Sequence, residues 1–296
     1  MPRQQCQTVA MTVLHNLALG RGNLDRLAER RGDSAWLSEI ITDPRTVIVG
    51  VSGSHIALDG ERLRNCHDLE LDPRALALIG EAGGRIHVAA MLEEPLPGSR
   101  SLREIGAELT DDDAAVATTA VALHQWHHNH SHCPRCGTPT VNALSGWERH
   151  CPVDTSAHYP RTDPCIIVGI IDAQDRLLLA RQSVWAAHRY SIIAGYVEPG
   201  ETVEHAVVRE ALEEVGLHVH SLEYVGSQPW PFPASLMLGF IARTADTVIH
   251  VDGVEIEEAR WVRRDALDAL VADGEILLPS NVSIARRIIE HWQHNT

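Results

Sequence analysis

Glu210, Glu213 and Glu214 stand at i, i+3 and i+4 within the run Arg209–Leu217. On a helix that spacing puts three carboxylates on one face. Like charges so placed repel, and the cluster costs stability unless a cation sits on it. Hard oxygen ligands of this kind suit Mg2+ or Mn2+, ions that also bind substrate phosphates. Taken alone, the three glutamates would equally describe a solvated, Glu-rich helix. Their flanks add more. Pro199-Gly200 makes a turn, Thr202 can cap a helix start, and Gly216 can end the helix. The helix between them is expected to turn Ala206, Val207, Ala211 and Leu212 inward.

A second group suggests a different metal. Cys133-Pro134-Arg135-Cys136 is a CxxC turn of the kind that grips zinc, and Cys151 follows in register. Where a second CxxC would end, the chain has Asp154. The fourth ligand is therefore Asp154, or a neighbour such as His150 or His158, or it is missing. Zn2+ accepts carboxylate oxygen, so a Cys3Asp site is chemically allowed. Its role would be structural, because its ligands belong to a knuckle and not to the carboxylate face. A reduced or redox-active CxxC is the alternative. Nearby, His124, His127, His128, His130 and His132 crowd the end of an expected helix. They repeat no ligand spacing and read as a solvated helix end.

The third group is Ser227-Gln228-Pro229-Trp230-Pro231-Phe232-Pro233-Ala234-Ser235. Three prolines make a stiff, extended loop. Such a loop can present Trp230 and Phe232 as a stacking surface for a planar ring, with Ser227, Gln228 and Ser235 free to hydrogen-bond a ribose or an amide. A Pro-rich turn with buried aromatics is the plainer alternative.

These groups need elements to hold them. Strands at Thr46–Val49 and Arg85–Leu92 point to a small N-terminal sheet-containing domain, in which no chemistry is evident. A helix follows from about Asp111, its acidic start suited to a helix N-terminus. After the Cys/His segment, strands at Cys165–Ile171, Leu177–Arg181, Leu222–Ser227, Leu236–Arg243 and Ala259–Val262 alternate with the carboxylate helix. Two closing helices follow, near Arg264–Val271 and Asn281–His294. This is an α/β layered pattern. Boundaries are expected at 1–130 for the N-terminal domain, 131–160 for the knuckle and 161–296 for the α/β domain.

The chain has 296 residues and a formal charge of −15, from 25 Lys+Arg against 40 Asp+Glu. That excludes a general nucleic-acid coat, which needs a basic stripe. Six cysteines, with Cys6, Cys66 and Cys165 standing alone, are too few and too uneven for a disulfide scaffold. No apolar run approaches the roughly 20 residues of a membrane-spanning helix, and Met1–Gln5 lacks a secretory signature. The expectation is a cytoplasmic protein with no membrane partner.

The full spacing from Gly195 to Leu217 matches the Nudix box throughout: Gly, five residues, Glu, seven residues, Arg-Glu, then Glu-Glu and Gly. The Ser227–Ser235 string matches the signature of the NudC-type NADH pyrophosphatase branch of that family. From Cys133 onward the chain therefore resembles a NADH pyrophosphatase of the Nudix hydrolases; the N-terminal region resembles it loosely. The resemblance implies an α/β/α sandwich preceded by the knuckle. It implies divalent-metal hydrolysis of the pyrophosphate of NADH and NAD+ to NMNH or NMN and AMP, and removal of NAD caps from RNA 5′ ends at the same site. It assigns Glu210, Glu213, Glu214 and Glu255 to catalytic Mg2+ or Mn2+, with one of the Glu213/Glu214 pair also helping to activate water. It assigns Tyr159, Ser227, Gln228, Trp230, Phe232, Ser235 and Ala285 to substrate. Gly195, Glu201, Arg209 and Gly216 would be structural, and Cys133, Cys136, Cys151 and Asp154 the zinc set. The family is typically a homodimer. A non-catalytic nucleotide sensor or zinc-knuckle RNA-binding module on the same scaffold is the reading from another class. The intact glutamates argue against it, since binding alone has no need of a repulsive cluster.

Overall fold

Val47–Ser52 (β1) is buried at all six positions, which a strand achieves only when both faces are covered. The computed structural model describes residues 14–294, so Cys6 and Met1–Gln5 lie outside the described residues. β1 is central in a five-stranded sheet with β2 (His55–Ile56), β5 (Leu76–Ala82), β6 (Arg85–Met91) and β7 (Arg100–Ser101), in the order β5-β6-β1-β2-β7. A small hairpin, β3 (Leu58–Asp59) with β4 (Arg62–Leu63), sits apart. β1 and β6 run parallel, Val47 opposite His87.

One face of this sheet, with Val49 and Ala89, packs under Val116, Ala120 and Leu123 of α3 (Asp111–Asn129). The other, with Ile48 and Val88, meets Trp36 and Ile40 of α1 (Ser34–Ile40). A one-turn α2 (Leu102–Ile105) precedes α3. Thr110 caps α3, its side chain accepting from the Asp113 amide at 3.3 Å.

The histidine-rich end of α3 differs from the expected solvated end. His127 is buried, its Nε2 2.9 Å from the Gly146 carbonyl and its Nδ1 2.9 Å from Arg149. His124 Nε2 lies 3.1 Å from the Leu92 carbonyl. Trp126 and His127 are buried while His128 is exposed, so part of the run faces protein.

The segment that follows folds as an antiparallel sheet of β8 (Val141–Ala143), β9 (Glu148–His150) and β10 (Ala157–His158). A six-stranded mixed sheet follows, from β11 (Asp163–Ile171), β12 (Leu177–Arg181), β13 (Ile193–Tyr196), β14 (Val219–Trp230), β15 (Ser235–Thr244) and β16 (Glu258–Val262). Its order is β14-β15-β11-β12-β16, with β13 also paired to β11. Alternation along β11 sends Ile166, Val168 and Ile170 to one face, under α4 (Val203–Val215). Ile167 and Ile171 go to the other, under α5 (Leu267–Ala272) and α6 (Ile284–His294). The result is the expected α/β/α sandwich.

Two local expectations are corrected. Leu212 is 46% exposed. The inward face of α4 is Ala206, Val207, Glu210, Ala211, Glu214 and Val215, and at 100° per residue Leu212 falls on its opposite side. The Pro-rich segment is a strand and a turn, not an extended loop: β14 runs through Gln228 and Trp230, with Gln228 opposite Met237 and Trp230 opposite Ser235.

The two sheets are joined by reciprocal packing. Leu14 and Leu17 enter the core under α6, and the Leu14 amide donates to the Val225 carbonyl at 2.9 Å. Val282, just before α6, enters the N-terminal core, against which Trp230 and Phe232 also pack.

Candidate active site and metal centre

The carboxylate site is built where α4 crosses β13. Thr202 caps α4 by accepting from the His205 amide at 3.2 Å, and Gly216 ends it in the left-handed region at φ 68°. At Gly195 a Cβ would meet the Glu210 carboxylate carbon at 2.0 Å. Only glycine lets that carboxylate lie flat on the strand. Glu210 and Glu214 are both buried on this face, while Glu213 stays exposed at the rim.

Arg209 organises the acids around it. Its Nε donates to Glu201 at 2.8 Å and its Nη2 to the same carboxylate at 2.9 Å. Its Nη1 reaches Glu210 at 2.7 Å and Glu213 at 3.1 Å, and Nη2 also holds the Tyr196 carbonyl at 2.9 Å. This guanidinium holds Glu201 down at about 2. Glu214 has no such partner. Burial first, then Glu210, Glu255 and Asp252, push its carboxyl up to about 8. Burial also raises Glu210, against the pull of Arg209. Buried Glu214 Oε2 has no hydrogen-bond partner among the described residues. An orphaned oxygen in a buried acidic pair is the environment a divalent cation satisfies, so the donor set fits one.

Glu255 is exposed on the loop before β16, which the Asp252 side chain holds by accepting from the amides of Glu255 and Ile256. The Asp252 amide in turn donates to the Glu214 carbonyl at 3.1 Å. Asp252 thus belongs to the same acidic group. Sequence reasoning missed it, because only this tertiary contact brings it to α4.

On the opposite face of β11 a cavity of about 550 Å3 is lined by Trp185, Trp230, Met237, Ser283 and Ala285 among others. Of the residues expected to touch substrate, Trp230 and Ala285 line it. Phe232 stands edge-on to Trp230 with ring centroids 5.0 Å apart. The rest lie elsewhere. Gln228 is fully buried, its Nε2 donating to the Val282 carbonyl at 2.9 Å and its Oε1 accepting from the Leu19 amide at 3.3 Å. It ties the two halves of the chain together. Buried Ser235 lies 3.1 Å from the Tyr196 hydroxyl, half-buried Ser227 is not in the lining, and Tyr159 is exposed away from it. Arg103, from the N-terminal half, does reach the cavity. No sequence signal marked it, and the region had been read as free of chemistry.

The knuckle brings Cys133, Cys136, Cys151 and Asp154 together, their donor atoms all within 4.8 Å of one another. Cys136 Sγ to Cys151 Sγ is 3.5 Å and Cys133 Sγ to Asp154 Oδ2 is 3.3 Å. A tetrahedral zinc with Zn–S near 2.3 Å requires donor separations of about 3.8 Å, so the set fits. Two equivalent turns build it. Cys133 N donates to Thr138 O and Gly137 N to Cys133 O; Cys151 N donates to Ser156 O and Thr155 N to Cys151 O. Gly137 and Thr155 both take positive φ, at 73° and 61°. Asp154 therefore occupies in the second turn the position of Cys136 in the first. Ser156, through its hydroxyl and its amide, holds Asp154 well below the usual carboxylate range. His158 contacts that hydroxyl at 3.0 Å, one shell further out, and neither it nor His150 is in the donor group.

Residues 161–280 match the NUDIX domain family, and residues 128–159 match the NADH pyrophosphatase zinc ribbon domain. Over 237 residues the chain is 40% identical to the NAD-capped RNA hydrolase NudC of Mycobacterium bovis (strain BCG / Pasteur 1173P2), covering 74% of this chain and 75% of that protein. It is 36% identical, across an alignment 337 positions long, to the Homo sapiens NAD-capped RNA hydrolase NUDT12, covering 91% of this chain and 71% of that one.

Proposed function

The chain belongs to the NADH pyrophosphatase branch of the Nudix hydrolases, and from that premise we propose that it hydrolyses the pyrophosphate of NADH and NAD+, giving NMNH or NMN and AMP, and removes NAD caps from RNA 5′ ends at the same site. The observation that carries the reading is the buried Glu210/Glu214 pair beneath Gly195, with one oxygen left without a partner. A binding module gains nothing from such a pair, whereas a site that holds cations against a pyrophosphate needs it.

In this reading Glu210, Glu213, Glu214 and Glu255 hold the divalent ions, and carboxylate donors favour Mg2+ or Mn2+. Bound there, the cation supplies charge neutralisation of the pyrophosphate and a water of lowered pKa. The chain's own residues do the rest. Arg209 fixes Glu210 and Glu213 at 2.7 and 3.1 Å, so the carboxylates are pre-set before substrate arrives. One of Glu213 and Glu214 takes the proton of the attacking water. Trp230, with Phe232 edge-on to it, offers a planar ring surface, and Ala285 presents backbone to the substrate. Glu201 and Gly216 act structurally, bracing the loop and ending α4.

In the knuckle, zinc is held by Cys133, Cys136 and Cys151, with Asp154 as fourth ligand. The equivalence of the two turns supports that choice over His150 and His158. Divisions near residues 130 and 160 belong to the same proposal; the separation of the five-, three- and six-stranded sheets along the chain supports them. A cytoplasmic homodimer completes the proposal, and light scattering on the purified protein tests its assembly.

The functional test compares NADH, NAD+ and a NAD-capped RNA side by side with Mg2+ or Mn2+, products identified by mass. Release of AMP and NMNH from NADH, and of 5′-monophosphate RNA from the capped transcript, is expected. Cleavage at any bond other than the pyrophosphate would contradict the proposal.

A further inference from the structure

The Ser227–Ser235 string has two faces, and the proposed function uses one of them. Trp230 lines the cavity on the α6 face of β11, whereas Pro229, Pro231 and Pro233 line a separate cavity of about 300 Å3. The same alternation separates Met237 from Leu236 on β15, and the two cavities share no lining residue. Thr118 of α3, Trp147 before β9 and Arg26 from the segment before α1 complete the second cavity.

Its apolar wall is flat and stiff, because proline rings lose almost no side-chain freedom when another ring packs on them. Its hydroxyl is unsatisfied. Thr118 is 5% exposed and its Oγ1 has no hydrogen-bond partner among the described residues, whereas the neighbouring Thr119 hydroxyl donates to the Ala115 carbonyl at 2.9 Å. A buried hydroxyl left so costs free energy that a ligand with a hydrogen-bonding edge offsets. Its charge is positive, since no Asp or Glu lines it. Of the two guanidiniums in the lining, Arg161 is paired with Asp163 at 2.7 Å, but Arg26 meets no carboxylate among the described residues. Arg26 lies 5.8 Å from the centre of the Trp147 ring, which Arg31 approaches more closely at 3.6 Å. Such ring contacts orient a guanidinium and leave its charge uncompensated.

A flat apolar wall, an unsatisfied hydroxyl and an unpaired guanidinium together fit a planar base that carries a phosphate. About 300 Å3 is the small end of ligand cavities, room for one base with its sugar and not for two. We propose that this cavity is a second nucleotide site, which takes a mononucleotide with its base against the prolines and its phosphate at Arg26. The choice of a mononucleotide rests on the pyrophosphatase reading above, whose products are of that class.

The test is equilibrium dialysis of AMP and of adenosine against the purified, zinc-loaded protein with Mg2+ present, for wild type, Arg26→Ala and Arg26→Lys, with kcat/KM for NADH measured on the same samples. Arg26 is exposed, so its removal leaves the core intact. The expected result is that Arg26→Ala weakens a component of AMP binding about tenfold and that Arg26→Lys restores part of it. Adenosine, which lacks the phosphate, is expected to bind all three proteins alike, and kcat/KM for NADH to stay within about twofold. AMP affinity unchanged in Arg26→Ala, or no AMP binding to wild type, would overturn the inference. So would an equal fall for adenosine, or a parallel fall in NADH turnover, which would place Arg26 in the substrate cavity instead. Wild type that fails to cleave NADH would overturn the pyrophosphatase reading, while AMP binding, which needs no turnover, still decides the site.

Discussion

A methyl group on Gly195 would lie 2.0 Å from the carboxylate carbon of Glu210, so Gly195→Ala has to displace that side chain from its place beside Glu214. The expected outcome is a loss of at least about tenfold in NADH hydrolysis, with circular dichroism unchanged, because a misplaced ligand costs rate without costing the fold. Activity retained by that variant would mean that Glu210 does not need its strand-hugging pose. The three glutamates were legible in the sequence because helical spacing alone puts them together. Asp252 was not, since its place beside Glu214 depends on a loop brought in by tertiary contact. Gln228 misled for a related reason. Read as part of an extended loop it looked available to ligand, but strand alternation turns it inward, onto Leu19 and Val282.

The two turns of the knuckle are the element whose sequence and geometry diverge most usefully. Asp replaces the last cysteine, yet the backbone repeats the first turn bond for bond. Asp154→Ala is therefore expected to lose most of the zinc found by metal analysis of the purified protein, while Asp154→Cys keeps about one ion per chain. Full occupancy in the alanine variant would remove Asp154 as a ligand. The helix α4 was legible from cap to cap, Thr202 to Gly216, because both ends carry residues whose chemistry fixes a boundary. Its inward face was legible only in part. Leu212 is apolar and was assigned to the core, but burial of Glu210 and Glu214 rotates that face away from it.

Across the whole molecule, the N-terminal sheet and the α/β/α sandwich hold each other through Leu14 and Leu17 in one direction and Val282 in the other. Leu17→Ala should cost roughly 2–4 kcal/mol in urea unfolding, the usual price of a buried leucine, although it touches none of the acidic site. A cost near zero would mean that this strap is ornamental. Such cross-packing has no signature in local periodicity, which is why the N-terminal region read as a separate unit without chemistry. Stability should also depend on His127. Burial, aided by Arg149 and opposed by the Gly146 carbonyl, pushes it down to about 4 from an ordinary 6.5. Above pH 6.5 the ring is neutral in both folded and unfolded chains, and its site is undisturbed. As pH falls from about 6.5 to 4 the unfolded chain takes up the proton first, and up to roughly 3 kcal/mol of stability is lost. The difference in unfolding free energy between wild type and His127→Gln, measured at pH 7 and pH 4.5, should shift in favour of the variant at the lower pH. A difference independent of pH would remove His127 as the cause.

In the proposed function the buried acidic pair of α4 holds the cations that act on the pyrophosphate. NADH hydrolysis by Glu214→Gln, beside wild type with Mg2+ or Mn2+ present, tests it most directly, because the change keeps the shape and removes the charge. A fall of about a hundredfold or more is expected, with a metal-free melting temperature at pH 7 close to that of wild type, since burial already holds the Glu214 carboxyl largely neutral and the amide keeps its shape. Cleavage near the wild-type rate by the folded variant would contradict it.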